Sequence, residues 1–272
     1  MSALKNKIVV ITGGSSGIGK ALAESALSQG AKVAVCARNL EKLQSLFGQQ
    51  EHLLCFRADV SKEADCKNFI GKVTERWGGV DVLINNAGIS MRALFEDVDL
   101  AVLKELMDVN FWGAVYCTKY ALPAILKRKG TVVGVSSIAG YRGLPGRTGY
   151  SASKFALQGF LEALRTELLY TGAHVMWVSP GFTASNIRNV ARSRDGSAQA
   201  ETPLDEGKLM PAEECARIIM DGVEKRTRTI VMTRQGILAV WLNKLFPSIA
   251  DKLVYKHFLK EADSPLKKYP KG

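Results

Sequence analysis

Short apolar runs alternate with longer segments of helical spacing along the 272-residue chain, and this alternation constrains its fold more than any other feature. Apolar runs between turn residues are typical of buried strands. We predict strands at residues 8–11, 32–36, 53–56, 80–84, 131–135, 173–178 and 229–232, with helices at 17–29, 62–77, 99–127 and 150–170. Regular alternation requires right-handed crossovers, so the sequence predicts an α/β fold with a doubly wound parallel sheet of about seven strands.

The composition argues against several classes of protein. Five cysteines are widely spaced without a C-x-x-C pair and three histidines are scattered, so we predict reduced thiols and no metal site. The net charge of +11 is spread along the chain without a dense basic run, which argues against nucleic acid as a partner. Few residues precede the first strand and no apolar run is long enough to span a bilayer. We therefore expect no secretory signal and a cytoplasmic location.

A glycine-rich turn follows the first predicted strand and opens a helix. It contains Gly13, Ser15, Ser16, Gly17, Ile18 and Gly19. Glycine permits a tight turn and close backbone approach, so a dinucleotide pyrophosphate can rest on the amides at the helix N-terminus. The spacing is G-x3-G-x-G rather than G-x-G-x-x-G, and an ordinary glycine-rich turn is the alternative. A Rossmann-like sheet binds its ligand at this edge, outside the carboxyl ends of the strands.

The ends of the second and third strands bear on the choice of cofactor. Many dinucleotide sites place an acid after the second strand to bind the ribose 2′-hydroxyl, but here Ala37 and Arg38 stand there. A guanidinium can form two charge-assisted hydrogen bonds with a 2′-phosphate, so Arg38 favours NADP over NAD. A solvated turn arginine is the alternative. Asp59, after the third strand, could meet the adenine edge or cap the next helix.

The fourth and fifth strands both end in small polar residues. Asn86, Ala87 and Gly88 follow the fourth strand, where they would let the backbone approach a ribose, although an asparagine there could be purely structural. Ser136 and Ser137 follow the fifth strand. The sequence therefore adds Asn86, Ala87 and Gly88 to the predicted cofactor site.

A tyrosine and a lysine four residues apart begin the helix after the fifth strand. Tyr150 and Lys154 share a helix face at this spacing. An ammonium beside a phenol stabilises the phenolate and would lower the tyrosine pKa from about 10 toward the working pH. Such a pair occurs by chance on many helices, and its position after a serine-tipped strand is what strengthens it.

These motifs, taken in order, resemble those of the short-chain dehydrogenase/reductase family over about residues 5–235. The resemblance rests on the glycine turn, Asn-Asn-Ala-Gly, Asn110, Ser137, the pair Tyr150 and Lys154, and Pro180-Gly181. It implies that Ser137 binds the substrate oxygen and that Tyr150 exchanges a proton with it. It also implies that Lys154 holds the nicotinamide ribose and that Asn110 positions a relay water.

The resemblance further implies that Pro180 and Gly181 border the nicotinamide, with Thr183 near its carboxamide. We therefore expect residues 1–235 to form a dinucleotide-binding catalytic domain with NADP(H) as cofactor. The expected reaction moves a hydride between nicotinamide and the carbonyl or secondary alcohol of a small, apolar substrate. The alternatives are a 3-oxoacyl thioester reductase of fatty-acid synthesis, whose C-terminal end is usually more compact, and a non-catalytic NADP sensor.

Two further features bear on substrate and assembly. The polar segment 182–210 is expected to form a lid that selects the substrate. The helix after Tyr150 is apolar on more than one face, which one sheet face cannot cover. We therefore predict a homodimer or homotetramer.

Residues 236–272 are predicted to form a helical C-terminal extension packed on the catalytic domain. We expect a helix at 236–246, a break at Pro247, and a second helix capped by Ser248 with Asp251 at its third position. The first of these helices is more apolar than an exposed helix tolerates, because it contains Ile237, Leu238, Val240, Trp241, Leu242, Leu245 and Phe246. We favour cover by the protein's own fold or by a subunit contact. The alternative is peripheral contact with an anionic membrane through the neighbouring lysines.

Overall fold

Seven parallel strands form the centre of the protein. The computed structural model describes residues 4–184, 187–199, 209–261 and 263–269. The strands are β1 (Ile8–Thr12), β2 (Lys32–Ala37), β3 (Leu53–Arg57), β4 (Val82–Asn85), β5 (Thr131–Val135), β6 (His174–Ser179) and β7 (Thr229–Val231). They form one sheet in the order β3-β2-β1-β4-β5-β6-β7. Every predicted strand is present within two residues of its predicted bounds, so the predicted fold class is confirmed.

Helices connect the strands and continue after β7. Those in the described residues are α1 (Gly17–Ser28), α2 (Leu40–Phe47), α3 (Glu63–Trp77), α4 (Leu100–Met107), α5 (Gly113–Arg128), α6 (Thr148–Glu167), α7 (Ala212–Glu224), α8 (Arg234–Leu245) and α9 (Pro247–Leu259). A π-helical turn, Asp108–Trp112, joins α4 to α5, and a short 3-10 turn, Ile138–Gly140, follows β5. The single helix predicted at 99–127 is therefore interrupted by a wider turn.

The strands alternate their apolar side chains between two helical layers, because successive residues of a strand point to opposite faces. One row crosses five strands through paired residues: Val10, Ala34, Leu83, Val132 and Val175. This row packs with α3, α5 and α6, whereas Val9 and Ile11 pack with α1, α2 and α7. Burial on both faces explains why these strands are continuous apolar runs.

The crevice of the sheet lies at the end of β1. Because β1 stands between β2 and β4, the connections on its two sides run in opposite directions and leave a gap beyond the carboxyl ends. Asn86 closes the floor of this gap, since its Nδ2 donates to the carbonyl oxygens of Thr12 and Gly13 at 2.9 and 3.2 Å. The sheet thus brings the motifs that follow β1 and β4 together.

The two C-terminal helices meet at Phe246, and the predicted break at Pro247 is confirmed. The predicted cap is wrong: Pro247 is the first residue of α9 and Phe246 takes the N-cap position. Proline is favoured at this position because its missing N–H would have no intrahelical partner there. Ser248 therefore lies inside the helix, and Asp251, its fifth residue, pairs with Arg142 instead of capping.

The extension contacts the loop between β5 and α6. Arg142 donates to Asn243 Oδ1 at 2.9 Å, and Asn243 Nδ2 donates to the Tyr141 carbonyl at 3.0 Å. Farther along the chain, Phe258 and Leu266 pack with Leu94.

The other face of the extension is exposed. Five of the seven apolar residues that were predicted to be covered are exposed, namely Ile237, Leu238, Trp241, Leu245 and Phe246. Within the described ranges, the rest of the fold leaves these five side chains uncovered, so cover by the protein's own fold is wrong for them, and cover by a subunit contact stays a prediction. No helix in the described ranges combines the length and apolar character needed to cross a membrane.

Candidate active site

A pocket of about 480 Å³ opens at the carboxyl ends of the strands. The predicted cofactor residues that line it are Gly13, Ser15, Ser16, Gly17, Ile18, Gly19, Arg38, Asp59, Asn86, Ala87, Gly88, Tyr150, Lys154, Pro180, Gly181 and Thr183. Ser137 lines it as well, whereas Asn110 does not. The fold therefore brings the motifs that follow six strands, β1 to β6, together in one cleft.

The glycine turn needs glycine for both conformation and space. Gly13 has a positive φ of 72°, which favours glycine. A Cβ on Gly19 would lie 2.1 Å from the Gly13 carbonyl oxygen and 2.4 Å from Asn86 Nδ2, so α1 can approach β4 this closely only without a side chain there. Ser16, at the N-cap of α1, makes no side-chain cap hydrogen bond. In the part of the chain that the structure describes, the Ser16 hydroxyl therefore leaves the first amides of α1 uncapped.

Arg38 lies exposed on the pocket wall beyond β2. Within the described parts of the chain, its guanidinium has no hydrogen-bond or ion-pair partner. Asn39 caps α2 by accepting from the Lys42 amide at 2.8 Å, which places Lys42 in the first turn and on the same wall. Sequence reasoning missed Lys42, although the capping asparagine three residues earlier could have indicated it.

The Asp59 carboxylate accepts hydrogen bonds from a residue two positions later in the chain. Its Oδ1 accepts from the Ser61 amide at 3.0 Å and from the Ser61 hydroxyl at 2.7 Å. Because α3 begins at Glu63 with Lys62 at the N-cap, the helix-capping alternative for Asp59 is wrong.

Three side chains converge where β5 meets α6. Tyr150 is the third residue of α6, and its phenol lies near enough to the Ser137 hydroxyl for that hydroxyl to lower the Tyr150 pKa. Lys154 lies one turn later, with its Nζ 5.7 Å from the Tyr150 ring centroid and 2.8 Å from the Val135 carbonyl oxygen, to which it donates. Ser136 points away, since its buried Oγ accepts from Gln158 Nε2 at 2.8 Å. Backbone alternation thus presents only the second serine to Tyr150.

The electrostatics of Tyr150 differ from the expectation. Burial raises the pKa of its phenol, and the hydrogen bond with Ser137 and the charges of Arg147 and Arg188 oppose that rise. The predicted lowering by Lys154 is wrong for this structure because desolvation is the larger effect. Burial also lowers the pKa of Lys154, to about 8.

The lowered lysine pKa predicts a pH-dependent stability. Between pH 8 and its unfolded value near 10.5, Lys154 binds more protons when the chain is unfolded, so stability rises with pH in this window. From about pH 7 to about pH 9.5, wild type should gain about 2 kcal/mol relative to Lys154→Met in urea unfolding. Replacing exposed Lys20 with methionine is the matched control. An unchanged difference between wild type and Lys154→Met would contradict the burial argument.

Asn110 lies one layer behind the pocket, in the π-helical turn. Its Oδ1 accepts from the Ile89 amide at 2.8 Å, and its Nδ2 donates to the Ile89 carbonyl and the Ser153 hydroxyl, both at 2.9 Å. Such turns are frequent at functional sites. The side chain thus ties the loop after β4 to α6.

A buried charge cluster that the sequence did not reveal supports the pocket wall. Arg147, which lines the pocket, donates to both carboxylate oxygens of Glu261 at 3.0 and 3.2 Å and stacks over the Phe258 ring. Arg92 lies 3.4 Å from the same carboxylate. Glu261 is 114 residues from Arg147 in the chain, and no local pattern connects them.

The segment expected to form a lid is described only in part, since residues 185–186 and 200–208 lie outside the described residues. Phe182 and Arg188 line the pocket. Arg192 pairs with Glu105 of α4, which anchors this part of the segment to the domain.

A doubly wound sheet with a serine, a tyrosine and a lysine at its ligand-binding edge defines a class of oxidoreductases. The profile of the short chain dehydrogenases matches residues 7–196. The chain belongs to this short-chain dehydrogenase/reductase family.

Several known proteins are similar over most of their length. A dehydrogenase/reductase SDR family member 7B from Bos taurus is 34% identical, over 96% of this chain and 84% of the relative. An 11-beta-hydroxysteroid dehydrogenase-like 4A from Arabidopsis thaliana is 34% identical, over 90% and 83%. A short-chain dehydrogenase from Burkholderia cenocepacia, solved with NADP, has a TM-score of 0.79 at 20% identity, covering 92% of this chain and 98% of its own.

Proposed function

We propose that this protein is an NADP(H)-dependent oxidoreductase acting on the carbonyl or secondary alcohol of a small, apolar substrate. The observation that carries the proposal is the convergence of the Ser137 and Tyr150 hydroxyls with Lys154 in the pocket that the glycine turn opens. Family membership supports the oxidoreductase class.

The residues present fit a nicotinamide dinucleotide. The glycine turn and the amides at the start of α1 suit a pyrophosphate, while Arg38 and Lys42 offer cations to a 2′-phosphate. Asn86, Ala87, Gly88, Pro180, Gly181 and Thr183 would border the remainder of the cofactor. When bound, the nicotinamide supplies or accepts the hydride. The likeness to the Burkholderia cenocepacia protein shows the fold alone, so the choice of NADP rests on Arg38.

The chain's own groups handle the proton. A phenol with a raised pKa is protonated at neutral pH, so Tyr150 can donate its proton to the oxygen of a carbonyl being reduced. Ser137 donates a second hydrogen bond to that oxygen and stabilises the charge that develops on it. Lys154 donates to the Val135 carbonyl beside Tyr150 and would hold the nicotinamide ribose of a bound cofactor. The relay water at Asn110 stays a prediction, and its side-chain contacts support a positioning role.

The substrate end of the pocket is largely apolar. Leu144, Phe182, Ile187 and Val190 line it from the segments after β5 and β6. The guanidinium of Arg147 is engaged by Glu261, and Arg188 donates to the Thr183 carbonyl at 2.8 Å. This lining favours an apolar carbonyl compound over an anionic one, which agrees with the hydroxysteroid named for the Arabidopsis relative.

A substrate screen tests the reaction class. The purified protein with NADPH should reduce apolar ketones or aldehydes in an absorbance assay at the nicotinamide band. Turnover of 3-oxoacyl thioesters alone would favour the thioester reductase instead. Cofactor binding without turnover of any carbonyl would favour the NADP sensor.

Arg38 should determine cofactor preference. Two charge-assisted hydrogen bonds contribute about 1.5–3 kcal/mol, so Arg38→Ala should weaken NADPH binding about 10- to 100-fold and leave NADH binding nearly unchanged. Fluorescence titration measures both. Arg57→Ala, at the end of neighbouring β3 and outside the pocket lining, is the control. Equal binding of NADH and NADPH by wild type would refute the assignment.

Two further proposals concern assembly and location. The homodimer or homotetramer stays a prediction, supported by Phe155 and Leu169, which α6 and its C-terminal end leave exposed. The cytoplasmic location also stays a prediction. Five free cysteines support it because reduced thiols persist there.

A further inference from the structure

The surface of α8 and α9 carries an unusual concentration of exposed apolar side chains. Of seventeen exposed large hydrophobic residues in the described chain, seven lie between residues 237 and 253. They form what we call the apolar ridge: Ile237, Leu238, Trp241, Leu245, Phe246, Ile249 and Leu253. A contiguous exposed patch of this kind indicates an interaction surface rather than ordinary surface exposure.

Helical spacing places the ridge on one face of each helix. Ile237, Trp241 and Leu245 recur every four residues in α8, and Ile249 and Leu253 do so in α9. The opposite side of the extension is held by the bonds of Arg142 to Asn243 and Asp251. These bonds attach the extension to the catalytic domain, and the apolar ridge lies on the exposed side.

The charge around the ridge is strongly positive. Between residues 234 and 260 the basic residues are Arg234, Lys244, Lys252, Lys256 and Lys260. The single acidic residue in that range, Asp251, pairs with Arg142. Lys244 lies beside Trp241, with its Nζ 5.9 Å from the ring centroid. Apolar anchors that include a tryptophan, flanked by basic residues, match an anionic membrane surface.

The same charge disfavours a second copy of the chain as the occupant. A twofold contact would place these basic residues against their own copies, with one paired aspartate per chain to offset them. We propose that the apolar ridge docks the protein peripherally on an anionic lipid bilayer, with the ridge in the interface and the lysines on the headgroups.

The ridge continues toward the pocket. His257 follows Leu253 at the same four-residue spacing, and its ring stacks with Phe182, whose side chain lines the pocket. A docked enzyme would therefore hold its pocket rim near the lipid. This consequence rests on the proposed function, since it matters only for an apolar substrate that partitions into the bilayer.

Co-sedimentation of the full chain with vesicles tests the docking without cofactor or substrate. Wild type should bind vesicles of equal parts phosphatidylglycerol and phosphatidylcholine at least about tenfold more tightly than phosphatidylcholine alone. Leu238→Ser with Trp241→Ser should weaken that binding about tenfold or more. Lys252→Gln with Lys256→Gln should weaken it about 30-fold, because each basic residue near an anionic surface strengthens binding about fivefold.

Matched controls lie on other surfaces. Tyr170→Ser changes the most exposed aromatic residue described, and Lys67→Gln with Lys72→Gln removes two charges from α3. Neither should alter binding, and melting temperatures confirm that all variants are folded. The proposal is overturned if wild type does not sediment with anionic vesicles, or if it binds both vesicle types equally. It is also overturned if the ridge variants abolish only self-association in analytical ultracentrifugation. Because vesicle binding needs no catalysis, failure of the proposed reaction would leave this result standing.

Discussion

Replacing Tyr150 with phenylalanine should reduce turnover by about a hundredfold to ten-thousandfold while cofactor affinity stays within about twofold of wild type. The change removes only the phenolic hydroxyl, which is the group proposed to give or take the substrate proton. Loss of a proton donor acts on the transition state, so kcat should fall more than KM changes. Steady-state kinetics on a carbonyl substrate from the screen, with fluorescence titration of NADPH, measures both quantities.

The control for this substitution is Tyr120→Phe. Tyr120 lies on α5, and its hydroxyl donates to Glu63 at 2.6 Å, outside the pocket lining. This variant should retain wild-type turnover. If Tyr150→Phe also kept near-normal turnover, the proton would have to come from another group and the proposed roles of Ser137 and Tyr150 would fail together.

Replacing Glu261 with glutamine should destabilise the fold by about 3–5 kcal/mol. The substitution preserves shape but removes the charge that faces two arginines, Arg92 and Arg147, whose side chains are nearly buried. Desolvated cations without their carboxylate are costly, and burial already lowers the pKa of Arg147. Urea unfolding of the purified variants gives the difference in free energy.

An exposed ion pair provides the comparison. Glu24 lies 3.4 Å from Lys20 on α1, with both side chains exposed, so Glu24→Gln should change stability by less than about 1 kcal/mol. A result for Glu261→Gln within that range would mean that solvent screens the cluster. The charge cluster would then contribute little to the stability of the pocket wall that carries Arg147.

The recognition of most site residues came from local signals. Glycine spacing, the tyrosine and lysine one helical turn apart, and the small residues after β4 are each short patterns. All of the predicted residues except Asn110 line one pocket, because parallel strands deliver their carboxyl ends to the same edge. Asn110 lies one layer behind the pocket, in a π-helical turn that residue periodicity does not reveal.

Two predictions were wrong because each considered only one local pattern of residues. The expected lowering of the Tyr150 pKa considered only its helix neighbour, whereas desolvation of the phenol by burial has the larger effect. The cap predicted at Ser248 followed a side-chain preference, but the proline before it can begin the helix itself.

The sequence by itself indicated the order of the strands along the chain and the doubly wound class, because both follow from periodicity within a few residues. The candidate trio of Ser137, Tyr150 and Lys154 came from the resemblance of its motifs to those of the short-chain dehydrogenase/reductases. Only the tertiary structure decided that Glu261 closes a buried cluster behind Arg147 and that one face of α8 and α9 is left uncovered. Both depend on how distant segments pack, since burial and charge pairing are properties of the folded surroundings rather than of any local pattern.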